Sequence, residues 1–164
     1  PGIDFSAGSL GQGVSAACGM ALAGKLSKKD YRVYTILGDG EIEEGQVWEA
    51  AMFADHYKLD NLCFIIDNND LQIDGRIGEV SSPYPIDEKF RAFGFEVICC
   101  DGHDFAALEE TFQKVMKVSG KPAAVIAKTV KGKGVSYMED QASWHGKAPN
   151  DAEYEQGMKE LEVR

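Results

Sequence analysis

Asp39 and Asn69 make the strongest case for chemistry in this chain. Asp39 sits inside a Gly38-Asp39-Gly40 triplet, and 27 residues, Glu41 to Asp67, separate that triplet from Asn68-Asn69. A carboxylate, an amide oxygen and the backbone carbonyl of Leu71 just beyond could supply three protein oxygens. Mg²⁺ takes few protein oxygens and completes its shell with water and phosphate. The two glycines let the backbone turn tightly and approach a ligand. A helix start beside them would turn N–H groups toward a phosphorylated ligand. Asp39 alone could equally cap the following helix; its pairing with Asn69 points to a metal. Asn69 has two uses, Oδ1 on a cation and Nδ2 on a phosphate, and Asn68 is assigned to the turn.

Elements on either side must hold these groups in place. Arg32-Val33-Tyr34-Thr35-Ile36-Leu37 is a β-branched and aromatic run and reads as a strand. Glu43 to Tyr57 reads as a helix with an apolar stripe of Val47, Ala50, Ala51 and Ala54. Leu62-Cys63-Phe64-Ile65-Ile66 is continuously apolar, as in a strand buried on both faces. Strand, turn, helix and strand make one βαβ unit, whose crossover rule sets the two strands parallel. Both polar clusters then lie at the carboxyl edge, where open α/β sheets bind ligands.

The rest of the chain continues the alternation. Leu10 to Leu26 predicts a helix rich in small residues, Ile86 to Phe93 a short helix, and Phe95 to Cys100 a third strand. Asp104 can cap a helix that runs to Val118, and Ala123 to Thr129 is a fourth strand. A long loop from Lys131 to Pro149 carries Ser143-Trp144-His145-Gly146; loops of this length in compact domains are usually functional. Asp151 to Leu161 reads as an exposed acidic helix. The pattern predicts α/β architecture, a doubly wound parallel sheet with helices on both faces, in a single domain over residues 1–164. Gly11 to Ala16 matches the loose dinucleotide pattern G-x-G-x-x-A, but no strand precedes it, so the context that would confirm the pattern is missing.

Composition narrows the partners. A net charge of −10 argues against nucleic acid and anionic membranes. No apolar run approaches a membrane span. An acidic chain that holds a phosphorylated ligand needs a cation or oriented N–H groups to offset repulsion. Cys18, Cys63, Cys99 and Cys100 lie in apolar helix or strand contexts without a CxxC pair. They read as buried reduced thiols in a cytoplasmic protein. Pro1 to Gly8 resembles neither a signal peptide nor a start, so an N-terminal segment is expected upstream of Pro1.

The GDG triplet, its spacing to Asn68-Asn69, and the words EIEEGQVWEAA, HYKLDNL and LQIDG together resemble thiamine-diphosphate enzymes, and transketolases in particular. The resemblance covers essentially the whole chain. It implies thiamine diphosphate and Mg²⁺ (or Ca²⁺ or Mn²⁺ in its place), with Asp39, Asn69 and the Leu71 carbonyl on the metal. It implies that Gly40 donates its N–H to the diphosphate. Gly8, Ser9 and Leu10 would line the approach to the aminopyrimidine ring. The KTVKGKG and SWHG segments imply Lys131 and His145 at the diphosphate, with His145 also toward substrate oxygen. Glu44 would join a proton-linked network at a subunit interface. The remaining alternatives are plain ones. Glu41 and Glu43 compensate a helix dipole, a lone lysine is a solvated charge, His56 is a surface residue, and His103 is a loop hydrogen-bonder.

By the same resemblance the reaction is transfer of a two-carbon ketol unit from a ketose phosphate to an aldose phosphate. The glutamate that ionises the thiazolium, and the arginines that grip sugar phosphate, belong to a second, pyrimidine-binding domain absent here. The chain therefore reads as the amino-terminal subunit of a split transketolase. It would form a dimer of heterodimers with a carboxy-terminal subunit, be inactive alone, and serve the pentose phosphate pathway. Rival readings are a deoxyxylulose-phosphate synthase, a 2-oxoacid dehydrogenase subunit, a non-catalytic binding or assembly subunit, and a nucleotide-binding module. SWHGKAP and KTVKGKGV favour transketolase over the first two.

Overall fold

The sheet is built from four strands whose residues alternate between two apolar layers. In the computed structural model, which describes residues 2–162, β1 (Val33–Gly38), β2 (Leu62–Asn68), β5 (Glu96–Asp101) and β6 (Ala123–Lys128) form a parallel sheet in the order β1-β2-β6-β5. Pro1, Val163 and Arg164, the ends of the expected domain, lie outside the described residues. Two-residue strands β3 (Leu71–Gln72) and β4 (Gly75–Arg76) pair as a small antiparallel hairpin just past β2. The helices are α1 (Gln12–Leu26), α2 (Gly45–His56), α3 (Ile77–Val80), α4 (Ile86–Ala92), α5 (Phe105–Val115) and α6 (Asp151–Glu162). Short 3₁₀ turns at Glu41–Glu43 and Ala142–Trp144 complete the set.

Side-chain period 2 explains why both faces are covered. Phe64 and Ile66 of β2, with Ala124 and Ile126 of β6, face a large core shared with α1, α2 and α4. Cys63, Ala123, Val125 and Ala127 point the other way, into a smaller core closed by Val115 of α5. Strand order explains the division. The chain moves one way across the sheet from β1 through β2 to β5, then steps back to β6. Right-handed crossovers place helices of opposite steps on opposite faces. The reversal puts β6 in the centre, and its residues 123–127 are all buried.

Sequence expectations for the elements hold, with shifts at their ends. The first helix starts at Gln12 rather than Leu10, and the second at Gly45 rather than Glu43, because the chain first makes the 3₁₀ turn. Asp104 caps α5: its Oδ1 accepts from Ala106 N at 2.8 Å and Ala107 N at 3.2 Å. Two expectations need correction. Asn68 is not a turn residue but the last residue of β2, on the same side as Phe64 and Ile66 and 5% exposed. Not all four cysteines are buried: Cys18 and Cys63 are, and burial pushes both thiols up to about 12, whereas Cys99 is exposed. Cys99 lies on β5, an edge strand of the sheet, so fewer neighbours cover it. Among the described residues no helix is long and apolar enough to cross a membrane.

The large core is anchored by aromatic rings. Phe90 of α4 is fully buried and meets Trp48, Phe64 and Phe95 with centroids 5.1, 6.1 and 5.4 Å away. Truncating it removes the hydrophobic transfer energy and leaves a cavity. Phe90→Ala should cost about 3–5 kcal/mol in urea unfolding. Phe105→Ala should stay within about 0.5 kcal/mol, since that ring is 89% exposed.

Candidate functional site

The parallel pairing of β1 and β2 does what the βαβ reading requires. Gly38 is level with Asp67 in the register, so the chain leaves both strands at one edge. The next peptide continues the ladder, with Asp39 N donating to Asp67 O at 3.2 Å. Asp39 then turns inward and is 1% exposed. Its Oδ2 accepts from Asn68 Nδ2 at 2.9 Å and from Asp70 N at 2.5 Å. The second donor is the amide that joins Asn69 to Asp70, so the Asn69 backbone lies against Asp39.

The side chain of Asn69 is turned into its own loop. Its Oδ1 accepts from Leu71 N at 3.0 Å and its Nδ2 donates to Asp67 Oδ2 at 3.2 Å. The side chain bonded directly to Asp39 is therefore Asn68. Asn68 also donates to Tyr84 Oη at 3.1 Å, and Tyr84 donates to Asp70 Oδ1 at 3.2 Å. Sequence reasoning names neither Asn68 nor Tyr84 as a site residue. Extending the period-2 alternation of Phe64 and Ile66 by two positions would place Asn68 on the buried side. Nothing local marks Tyr84, which reaches the site from the turn before α4.

Electrostatics at this corner are one-sided. Burial raises the Asp39 carboxyl above its ordinary value, and the Asp67 charge adds to that; hydrogen bonds from Asn68 and Asp70 oppose it. Among the described residues, only neutral donors touch Asp39. Arg76, which reaches the neighbouring Asp70, is committed there at 3.0 Å and to Asp140 at 2.6 Å. Glu43, also raised by burial and by the Asp39 charge, accepts from Gln72 Nε2 at 3.3 Å. A buried carboxylate among further carboxylates and without a bonded cation is a donor set that suits a divalent metal. Among the described residues no three His, Cys, Asp or Glu side chains gather as ligands. The candidate set is instead one carboxylate with amide and carbonyl oxygens.

Gly40 follows with no room for a side chain: a Cβ there would lie 2.9 Å from the Gln72 Cβ. The Gly40 N–H is also bonded to the Asp39 carboxylate. Glu41 does more than compensate a dipole. Its Oε1 accepts from Gly11 N at 2.9 Å and its Oε2 from Gly38 N at 3.1 Å. That carboxylate ties the loop holding Gly8, Ser9 and Leu10 to the end of β1. All three of those residues are exposed, with Leu10 at 57%. Glu44 is exposed at the start of α2 and packs against Gly11, where an added Cβ would come 3.1 Å from the Glu44 Cβ.

Lys131 and His145 sit on the loop after β6. Asn68 pairs with Lys128, and Thr129 N donates to Asn68 O at 3.2 Å, so this loop leaves from the same sheet edge. Thr129 Oγ1 also bonds Asp67. Lys131 is half-buried and its ammonium joins no ion pair among the described residues. His145 is exposed at the end of the second 3₁₀ turn and makes no direct bond to the Asp39 cluster. Its neighbour Trp144 packs at a tilt against Tyr137, centroids 5.2 Å apart, and carries Lys147 Nζ 3.9 Å above its ring. Arg76 links this loop, through Asp140, to Asp70. His103, read as a loop hydrogen-bonder, is one: its Nε2 accepts from Val130 N at 2.8 Å. His56 is exposed, as expected.

Comparison with known proteins gives this geometry a family. A model described as the transketolase thiamine diphosphate binding domain matches residues 1–163. An apulose-4-phosphate transketolase subunit of Phocaeicola vulgatus is 44% identical over 164 residues, all of this chain and 58% of that protein. The 6-deoxy-6-sulfo-D-fructose transketolase subunit SqwG of a Clostridium species is 42% identical over 161 residues, covering 98% and 58%. Transketolase from Campylobacter jejuni superposes with a TM-score of 0.91 at 32% identity, covering 98% of this chain and 26% of that one. The chain thus spans little more than half the length of the first two relatives.

The buried carboxylate makes a pH prediction for the metal-free protein. A carboxyl raised in the folded state contributes fully below its unfolded value of 3.8. That contribution is lost as pH rises through the raised folded value, since the fold must then hold an ill-solvated charge. Asp39→Asn cannot ionise. In the presence of a chelator it should be more stable than wild type at neutral pH, with the gap closing toward about pH 3. Chemical unfolding across that range reads the effect, and a gap independent of pH contradicts it.

Proposed function

The chain belongs to the transketolase family, as its thiamine-diphosphate-binding domain, and on that basis we propose that it is the cofactor-holding subunit of a two-chain transketolase. The reaction is transfer of a two-carbon ketol unit from a ketose phosphate to an aldose phosphate. The observation that carries this reading is the buried Asp39 carboxylate, set between parallel strand ends with no lysine or arginine bonded to it among the described residues, in a chain matched along its length by separate transketolase subunits. Those subunits are named for different sugars, one a sugar phosphate and one a sulfonated sugar; a phosphorylated ketose is the substrate class proposed here.

The residue types suit the group they would hold, with the Asn69 oxygen engaged here by Leu71 N. Asp39, Asn69 and the Leu71 carbonyl would take Mg²⁺, for which Ca²⁺ or Mn²⁺ can substitute, and Asn68 would fix the Asp39 carboxylate. Gly40 N–H, Lys131 and His145 would bind the diphosphate, and Gly8, Ser9 and Leu10 would line the aminopyrimidine side. When bound, thiamine diphosphate supplies the nucleophile and the electron sink for carbon–carbon cleavage. The protein's own work is to orient and to manage charge. His145 offers an imidazole that can hydrogen-bond a developing oxyanion or pass a proton to it. Glu44, exposed at the start of α2, is offered to a subunit interface.

Three further parts of the reading follow from the relatives' naming and the residue set. Residues 1–164 act as one domain for diphosphate and metal. A carboxy-terminal subunit with a pyrimidine-binding domain completes the site, most simply as a dimer of heterodimers, and this chain alone does not turn over. The setting is cytoplasmic, in keeping with unpaired cysteines, and neither nucleic acid nor membrane is a partner. A non-catalytic binding subunit would have no use for the Asp39 corner together with His145.

Thiamine diphosphate affinity tests the proposal. With the partner subunit present, calorimetry should show binding that needs Mg²⁺ and vanishes with chelator. Asp39→Ala should abolish metal-dependent binding, a loss of at least about 100-fold, while circular dichroism stays native because the site lies on loops. Wild-type affinity in that variant would overturn the assignment.

A further inference from the structure

The loop after β5 carries a bonded turn with no part in the proposed cofactor site. Asp101 Oδ1 accepts from His103 N at 2.8 Å and closes that turn. Gly102 lies between them and donates to Lys128 O at 2.7 Å, one step beyond the β5–β6 ladder. A Cβ on Gly102 would come 2.5 Å from Thr129 Cγ2 and 3.1 Å from Lys128 O, so only glycine lets this turn lie so close to the end of β6. That approach brings the imidazole to the chain leaving β6. His103 Nε2 then accepts from Val130 N, in the peptide that joins Thr129 to Val130, the residue before Lys131. On its other side Lys131 is held by its carbonyl, which accepts from Asp140 N at 3.0 Å.

We propose that His103 is a positioning residue for Lys131: by accepting the Val130 N–H it fixes the backbone from which the Lys131 ammonium reaches the anionic ligand. The chemistry requires an acceptor at Nε2, hence a neutral imidazole with its proton on Nδ1. Without the acceptor the Val130 N–H turns to water. The chain entering Lys131 then gains freedom one peptide upstream, and ordering the ammonium costs more on binding. His103 itself touches no ligand. The inference rests on the proposed diphosphate site, and it predicts a specific pattern among variants.

A glutamine at this position carries an amide oxygen near the place of Nε2, whereas a phenylalanine keeps the ring shape without an acceptor. The full-length protein in its assembly, with Mg²⁺ saturating, should bind thiamine diphosphate about three- to tenfold more weakly as His103→Phe. His103→Gln should stay near wild type. In a Lys131→Met background, adding His103→Phe should cause little further loss, because the two residues act through one contact. Hydrogen exchange at the Val130 amide should speed up in His103→Phe and not in His103→Gln. A fully additive double-mutant cycle, an equally weak His103→Gln, or unchanged Val130 protection in His103→Phe each overturns the inference. Wild type that does not bind the cofactor at all overturns the functional reading beneath it, a result separate from the variant pattern.

Discussion

A buried carboxylate, bonded among the described residues by neutral donors, governs this structure. Asp39 sits where β1 runs out, 1% exposed, and one of its oxygens accepts from both Asn68 and the Asp70 amide. Each donor belongs to the end of β2, so the bond pair locks two chain exits together. Neutral hydrogen bonds stabilise a buried charge only in part. The neighbouring Asp67 charge adds repulsion. The corner therefore holds a carboxyl whose charged form its surroundings stabilise only in part.

The sheet topology makes such a corner possible. Four parallel strands in the order β1-β2-β6-β5 send their exits to one edge, and the reversal at β6 brings the last loop back beside β2. Asp67 shows the consequence. Its backbone pairs with β1's exit, while its carboxylate meets Thr129 from β6 and Asn69 from its own loop. Three loops far apart in sequence are thus fastened to one strand end. Glu41 fastens a fourth, the one before α1, through Gly11. Cores on both faces keep the strands in register, so these fastenings hold their geometry without stiffness of their own.

Much of this can be read from the residues, for reasons that can be named. Local steric and hydrophobic rules act over a few residues, so the apolar runs at Leu62–Ile66 and Ala123–Thr129 announce buried strands. Asp104 announces a helix start. The spacing of the GDG triplet to Asn68-Asn69 announces the corner, because the handedness of a βαβ crossover leaves little choice about where two strand ends lie. Where the reading slips, a competing force acts. Asn68 looks like a turn former by type, yet its place in the alternation with Phe64 and Ile66 carries it inward, and there it bonds Asp39. Cys99 looks buried in its apolar run, yet it lies on an edge strand.

Residue order alone therefore dictates the succession of elements, the parallel pairing of β1 with β2 and the identity of the groups at their ends, since each follows from short-range pattern or crossover chirality. Folding in three dimensions chooses which group bonds which. Asn68 rather than Asn69 meets Asp39, Tyr84 reaches in from the turn before α4, Glu41 bridges the Gly11 and Gly38 amides, and His103 takes the Val130 N–H. Those pairings depend on distances between segments remote in the chain. Such distances are set by how helices seat on the two faces of the sheet, a packing result that no local pattern encodes.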